Sequence, residues 1–195
     1  AVLSLVEPQS SGLGGGAFLM IYDAKTGKVT AYDGRETAPS GATPDMFMGP
    51  DGKPLPFVKV LLSGRSSGVP GAVAMLAQAQ KEHGKVAWST LFKDAETLAA
   101  DGFVVSPRLA SMINSPRAPQ ASQPDAVKYF TKPDGTRYKA GDVLKNPAYA
   151  ETVRRIAAEG PSAMYEGPIA QAIVDRVREG ELPGSISLDD LKRYK

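Results

Sequence analysis

The 195 residues carry 23 basic and 21 acidic side chains, a net charge of +2 with the two signs interspersed, so the charge stripe that marks a nucleic-acid binder is lacking. Without cysteine there are no disulfides and no thiolate chemistry, and one histidine leaves little for metal ligation. No run of about 18 apolar residues exists, which argues against a membrane-spanning helix.

In chain order, Ala1 to Val6 is an apolar run that reads as the tail of a buried element whose beginning lies upstream. Glu7 to Gly16 forms a glycine-rich turn. Two strand-like runs follow, Ala17 to Tyr22 and Lys28 to Tyr32, separated by the turn Asp23-Ala24-Lys25-Thr26-Gly27; together they predict a hairpin that delivers Asp33 to Pro39. Ser40 to Pro70 is punctuated by proline and glycine, with Pro50-Asp51-Gly52 as a turn and Pro133-Asp134-Gly135 as a second one downstream.

Helices are predicted from 70 to 83, opened by Pro70 and stopped at Gly84, and from 88 to 100, with Trp88, Leu91, Phe92, Ala95, Leu98 and Ala99 on one face. That stripe suits a core better than a cofactor box. Ser106-Pro107 opens a shorter helix as cap and first residue. Asn114 to Asp125, rich in Pro, Ala, Ser and Gln, is expected to be an exposed loop. Asn146-Pro147 starts a helix with Tyr149, Val153, Ile156 and Ala157 inward and Gly160 as its stop. Pro168 starts another, with Ile169, Ile173, Val174 and Val177 aligned, ending at Gly180. Ser187 and Asp190 have the spacing of a capping box, with aspartate where Glu or Gln is usual. The class is α/β of the α+β kind, mostly helical with one hairpin. A hairpin alone is marginal, so its strands are expected to join a larger sheet supplied by other chain, which makes 1–195 a single incomplete domain.

Arg35 is the candidate binding residue. A guanidinium offers parallel donors in a rigid fork, which is what bidentate capture of a carboxylate requires. The plainer alternative is an arginine paired with Asp33 or Glu36 at a strand end. Glu36 could orient Arg35 or be a solvated neighbour. Gly12 to Gly16 lacks the Lys-Ser/Thr of a nucleotide-binding loop and precedes a strand, so close backbone packing is the better reading. Ser10 and Ser11 read as turn residues, and His83, at a helix end, as structural. No residue set has metal-ligand spacing, and no cofactor is expected; Asp189 and Asp190 already have a capping role.

Glu7-Pro8-Gln9-Ser10-Ser11-Gly12-Leu13-Gly14-Gly15-Gly16, the strand pair, Asp33-Gly34-Arg35-Glu36-Thr37-Ala38-Pro39, Gly68-Val69-Pro70-Gly71 and Leu188 to Tyr194 together resemble the N-terminal part of the γ-glutamyltransferases, N-terminal-nucleophile hydrolases. The resemblance implies a four-layer αββα sandwich and a self-processing proenzyme cut into large and small subunits. This chain would be part of the large subunit, inactive alone, with the small subunit as partner. It also implies a small-molecule γ-glutamyl substrate such as glutathione, a catalytic threonine outside these residues, a periplasmic or secreted enzyme, and Arg35 as the residue binding the substrate α-carboxylate. Two other readings stand beside it: a cephalosporin acylase-like amidohydrolase of the same fold, and a non-catalytic fragment or binding module.

Overall fold

The computed structural model describes residues 1–195. In chain order the elements are α1 (Val2–Val6), β1 (Ala17–Asp23), β2 (Lys28–Gly34), α2 (Phe57–Leu61), α3 (Ala72–His83), α4 (Lys93–Asp101), β3 (Phe103–Val104), α5 (Pro107–Ile113), α6 (Pro124–Tyr129), β4 (Val143–Leu144), α7 (Pro147–Glu159), α8 (Ser162–Tyr165), α9 (Gly167–Val177) and α10 (Leu188–Arg193). Short 3-10 turns occupy Gly64–Ser66, Trp88–Phe92 and Pro119–Ser122.

β1 and β2 pair antiparallel, Ala17 opposite Gly34 and Asp23 opposite Lys28, so the hairpin runs slightly further than its sequence pattern predicts. Asp23 closes the turn by accepting the Lys25 amide and the Thr26 hydroxyl, both at 2.9 Å. Because strand side chains alternate, Leu19, Ile21 and Tyr32 share one face and pack against Met75 and Ala79 of α3. The opposite face is bare: Phe18, Met20 and Tyr22 are 68%, 71% and 67% exposed.

The main core gathers helices. Asn146 caps α7 by accepting the Tyr149 amide at 2.9 Å, and Pro147 supplies the first helical residue, where its missing N–H costs nothing. Val153 and Ile156 of α7 are fully buried against Phe92, Met164, Val174, Ile186 and Leu191. The indole N–H of Trp88 donates to the Ile156 carbonyl at 3.0 Å, fixing the Trp88 turn to this helix. The helix predicted from 88 to 100 is divided: Trp88–Phe92 is a 3-10 turn and α4 follows. The tighter winding swings Leu91 off the buried face, leaving it exposed while Phe92, Ala95 and Ala99 are inside.

A second core lies under α1, α4 and α5. Leu5 is buried there and Leu3 is exposed, so the first apolar run is covered on one side. Ser106 caps α5 by accepting the Leu109 amide at 3.0 Å. β3 and β4 pair as a two-stranded antiparallel ribbon, an element too short to leave a periodic signal. The segment from 114 to 125 is largely exposed, as expected, but more ordered than a plain loop. Ala118 is buried, a 3-10 turn and the start of α6 order the chain, and Arg137 Nη2 donates to the carbonyls of Ile113 at 2.7 Å and Ala121 at 3.0 Å. One distant guanidinium thus satisfies the last carbonyl of α5 and a loop carbonyl that composition alone assigns to solvent.

Candidate functional site

β2 ends at Gly34 and hands the chain to Arg35. The Arg35 amide donates to Asp33 Oδ1 at 2.9 Å, and its carbonyl accepts the Tyr194 hydroxyl at 2.6 Å, so both backbone polar groups are held. The guanidinium reaches outward, its side chain 64% exposed, with Nη1 3.1 Å from Glu36 Oε2. That oxygen is shielded from water and is not aligned for a hydrogen bond, so charge holds the pair. The other oxygen of Glu36 accepts the Gly16 amide at 2.7 Å. One carboxylate therefore ties the glycine loop to the strand end that carries Arg35, which leaves Glu36 more than a solvated neighbour.

The glycine loop makes this approach possible. A Cβ on Gly16 would stand 2.9 Å from Arg35 Cα, closer than real packing permits. Gly15 turns its carbonyl to the start of α3 and accepts the amides of Gly71 at 3.2 Å and Ala72 at 3.0 Å. Two of the N–H groups that could have cradled an anion at that helix start are thus taken by the chain itself. Thr37 and Val69 exchange backbone hydrogen bonds at 3.2 and 2.8 Å, so Glu36 and Thr37 are braced from the other side.

α10 supports the same segment from the far end of the sequence. The capping box is complete: Ser187 Oγ accepts the Asp190 amide at 3.1 Å, and Asp190 Oδ2 accepts the Ser187 amide at 2.9 Å. Asp190 Oδ1 accepts the Ser40 amide at 2.9 Å. Burial works to raise the Asp190 pKa, but hydrogen bonds from Ser187 and Ser40 prevail and hold it at about 2. The Tyr194 ring stacks on Tyr165, centroids 6.0 Å apart and planes 13° from parallel. Tyr165 in turn accepts the Ala74 amide at 3.1 Å, and burial pushes its hydroxyl up to about 12. Burial also raises Tyr194, and the charges of Asp33 and Glu36 add to it.

The other sequence candidates lie elsewhere. Ser10 accepts from Arg108 at 3.3 Å beside the Arg108–Glu7 ion pair at 2.7 Å, the setting of a turn residue. His83 stands at the end of α3 with Nε2 2.7 Å from the Tyr32 hydroxyl, which also bonds Glu82. Arg35 lines none of the five principal cavities. The largest, about 620 Å³ between α2 and the end of α9, has its cations engaged, Lys59 with Glu181 at 2.9 Å and Arg176 with Asp125 at 2.7 Å. Sequence reasoning singled out Arg35 and missed the Tyr194, Tyr165 and Asp190 contacts behind it. Ser187 and Asp190 signalled a cap, and nothing local ties that cap to residue 40.

The profile of the Gamma-glutamyltranspeptidase family matches residues 1–195. Glutathione hydrolase 3 of Arabidopsis thaliana is 37% identical over 193 residues, covering 99% of this chain and 29% of the plant protein. The glutathione hydrolase proenzyme of Bacillus subtilis (strain 168) is 36% identical over 192 residues, 98% of this chain and 32% of that protein. The crystal structure of Helicobacter pylori gamma-glutamyltranspeptidase superposes with a TM-score of 0.90 at 31% identity, over 100% of this chain and 54% of that one. The chain thus spans about a third of the curated relatives it matches.

Proposed function

Because this chain belongs to the gamma-glutamyltranspeptidase family, we propose that it is the part of a γ-glutamyl-transferring and -hydrolysing enzyme that binds the donor's α-carboxylate through Arg35. The observation that carries the reading is a guanidinium paired with Glu36 Oε2 alone, on a backbone tied at both its amide and its carbonyl. A guanidinium has five N–H donors, and one side of the fork suffices for a bidentate carboxylate. The pair with Glu36 engages Nη1 alone and leaves the other donors of the fork for a substrate carboxylate.

In the proposed whole enzyme a threonine outside these residues attacks the γ-amide carbon of glutathione or a related compound, its own amino group taking the proton. A glutamyl-enzyme forms as the amine leaves. Water or the amino group of an amino acid or peptide then takes the acyl group. The threonine opens a small subunit released from the same precursor, in line with the word proenzyme in the name of the B. subtilis relative. In this proposal that subunit supplies the wall opposite Arg35, whose guanidinium lines none of the five principal cavities of this chain. No helix here is long and apolar enough to cross a membrane, and export to the periplasm or the medium is part of the proposal.

Arg35→Ala in the full-length, processed protein tests the reading with γ-glutamyl-p-nitroanilide as donor. Loss of a charge-assisted pair should lower kcat/KM by roughly 30- to 1000-fold. Unchanged kinetics would leave Arg35 a structural residue, and a preference for a glutaryl amide over the γ-glutamyl donor would overturn the substrate class. A preparation whose intact masses and N-terminal sequences include no chain beginning with threonine would overturn the processing.

A further inference from the structure

The geometry points to Tyr194 as a positioning residue for Arg35: through its hydroxyl it aims the guanidinium at the donor's carboxylate. This rests on the reading of Arg35 given above and extends it to a residue 159 positions away.

Three observations carry it. The Tyr194 hydroxyl donates to the Arg35 carbonyl at 2.6 Å, in the gap between the end of the β2 ladder at Gly34 and the Thr37–Val69 bridge. The element that presents Tyr194 is itself anchored: Leu191 is fully buried, the capping box of α10 is closed, and Asp190 Oδ1 takes the Ser40 amide at 2.9 Å. One short helix and the residue after it therefore grip the backbone at both 35 and 40. The ring has a fixed seat as well. It stacks on Tyr165, and Gly71 leaves the space beside it, since a Cβ on Gly71 would overlap the Tyr194 hydroxyl.

The Arg35 carbonyl could be satisfied by water, so the bond adds direction more than satisfaction. A bidentate carboxylate pair depends on angle as well as distance, and it loses strength when the backbone beneath the arginine swings by a fraction of an ångström. A residue that only filled space would not be expected to distinguish donors that use Arg35 from donors that do not.

The test uses the full-length, processed protein with Tyr194→Phe, which keeps the ring and its stack and removes the hydroxyl. Two donors are compared: γ-glutamyl-p-nitroanilide and 4-aminobutyryl-p-nitroanilide, which lacks the α-carboxylate. The expected result is a KM for the first donor raised about 3- to 10-fold with kcat within about twofold, and a matching fall in the ratio of the two kcat/KM values. Adding Tyr194→Phe to Arg35→Ala should cause no further loss on the first donor. Equal losses on both donors, or a full additional loss in the double variant, would mean a general structural role and overturn the proposal. If Arg35→Ala collapses the donor ratio and Tyr194→Phe leaves it unmoved, positioning fails and the carboxylate reading stands. If Arg35→Ala leaves the ratio unmoved, the carboxylate reading itself fails.

Discussion

Glu36 bonds the Gly16 amide through one carboxylate oxygen at 2.7 Å and faces Arg35 Nη1 with the other at 3.1 Å, so loop and arginine share one anion. The loop can come this close because residue 16 has no side chain, and this distinguishes glycines that look alike in the sequence. A Cβ on Gly16 would stand 2.9 Å from Arg35 Cα, whereas one on Gly14 would meet nothing within 4 Å. Gly16→Ala should therefore cost about 1–3 kcal/mol through forced backbone movement, and Gly14→Ala should stay within about 0.5 kcal/mol. Urea unfolding of the processed protein, with the two variants side by side, checks this. Equal midpoints for both would show that the loop is not packed against the strand end.

The Glu36 carboxylate also separates two kinds of contribution. Glu36→Gln keeps an acceptor for the Gly16 amide and removes the charge beside a guanidinium that is 64% exposed. Stability should change by less than about 1 kcal/mol, because exposed ion pairs contribute little. Glu36→Ala, which deprives the Gly16 amide of its partner, should cost about 1–3 kcal/mol. A larger loss for Glu36→Gln than for Glu36→Ala would reverse this assignment.

Asp190 gives stability a pH dependence with a definite sign. Its folded pKa is held at about 2, below the ordinary 3.8, so its contribution is present above pH 4 and is lost as pH falls from about 4 to about 2. After allowance for solvent screening this amounts to about 1–2 kcal/mol. Asp190→Asn should lower the unfolding free energy at pH 6 by that amount and converge with the unchanged protein near pH 2. A gap that persists at pH 2 would mean the loss comes from altered packing of α10 and not from the carboxylate's charge.

Much of this fold is written in short-range chemistry. Asn146-Pro147, Ser106-Pro107 and Ser187 with Asp190 each form the cap their spacing predicts, since a cap needs nothing beyond three or four neighbouring residues. Val153 and Ile156 are buried as the period of α7 requires. What was not legible depends on partners far along the chain. β3 meets β4 across some forty residues through two residues each, α2 arises in a stretch that reads as turns, and Arg137 orders a loop it does not adjoin. The site divides the same way. Arg35 and the glycine loop stand within one motif, whereas the contacts of Tyr194 with Arg35 and of Asp190 with Ser40 join opposite ends of the sequence.

The hairpin's outer face supplies the last prediction. Phe18, Met20 and Tyr22 project from β1 at 68%, 71% and 67% exposure, and Val29 lies opposite Tyr22 on β2. Full burial of such a side chain stabilises by about 1.5–3 kcal/mol, so a face of this kind is a large fraction of a domain's net stability. If 1–195 is an incomplete domain, as proposed, the remainder of the protein covers this face. Met20→Lys in the whole protein should then cost about 2 kcal/mol or more, because it would bury a charge without a partner. In the segment 1–195 expressed alone the same change should be nearly neutral, and the segment should bind a hydrophobic dye and melt without a sharp transition. A monomer of 1–195 that unfolds in one cooperative step, with Met20→Lys harmless in both settings, would show that the face is a free surface and that the hairpin needs no second sheet.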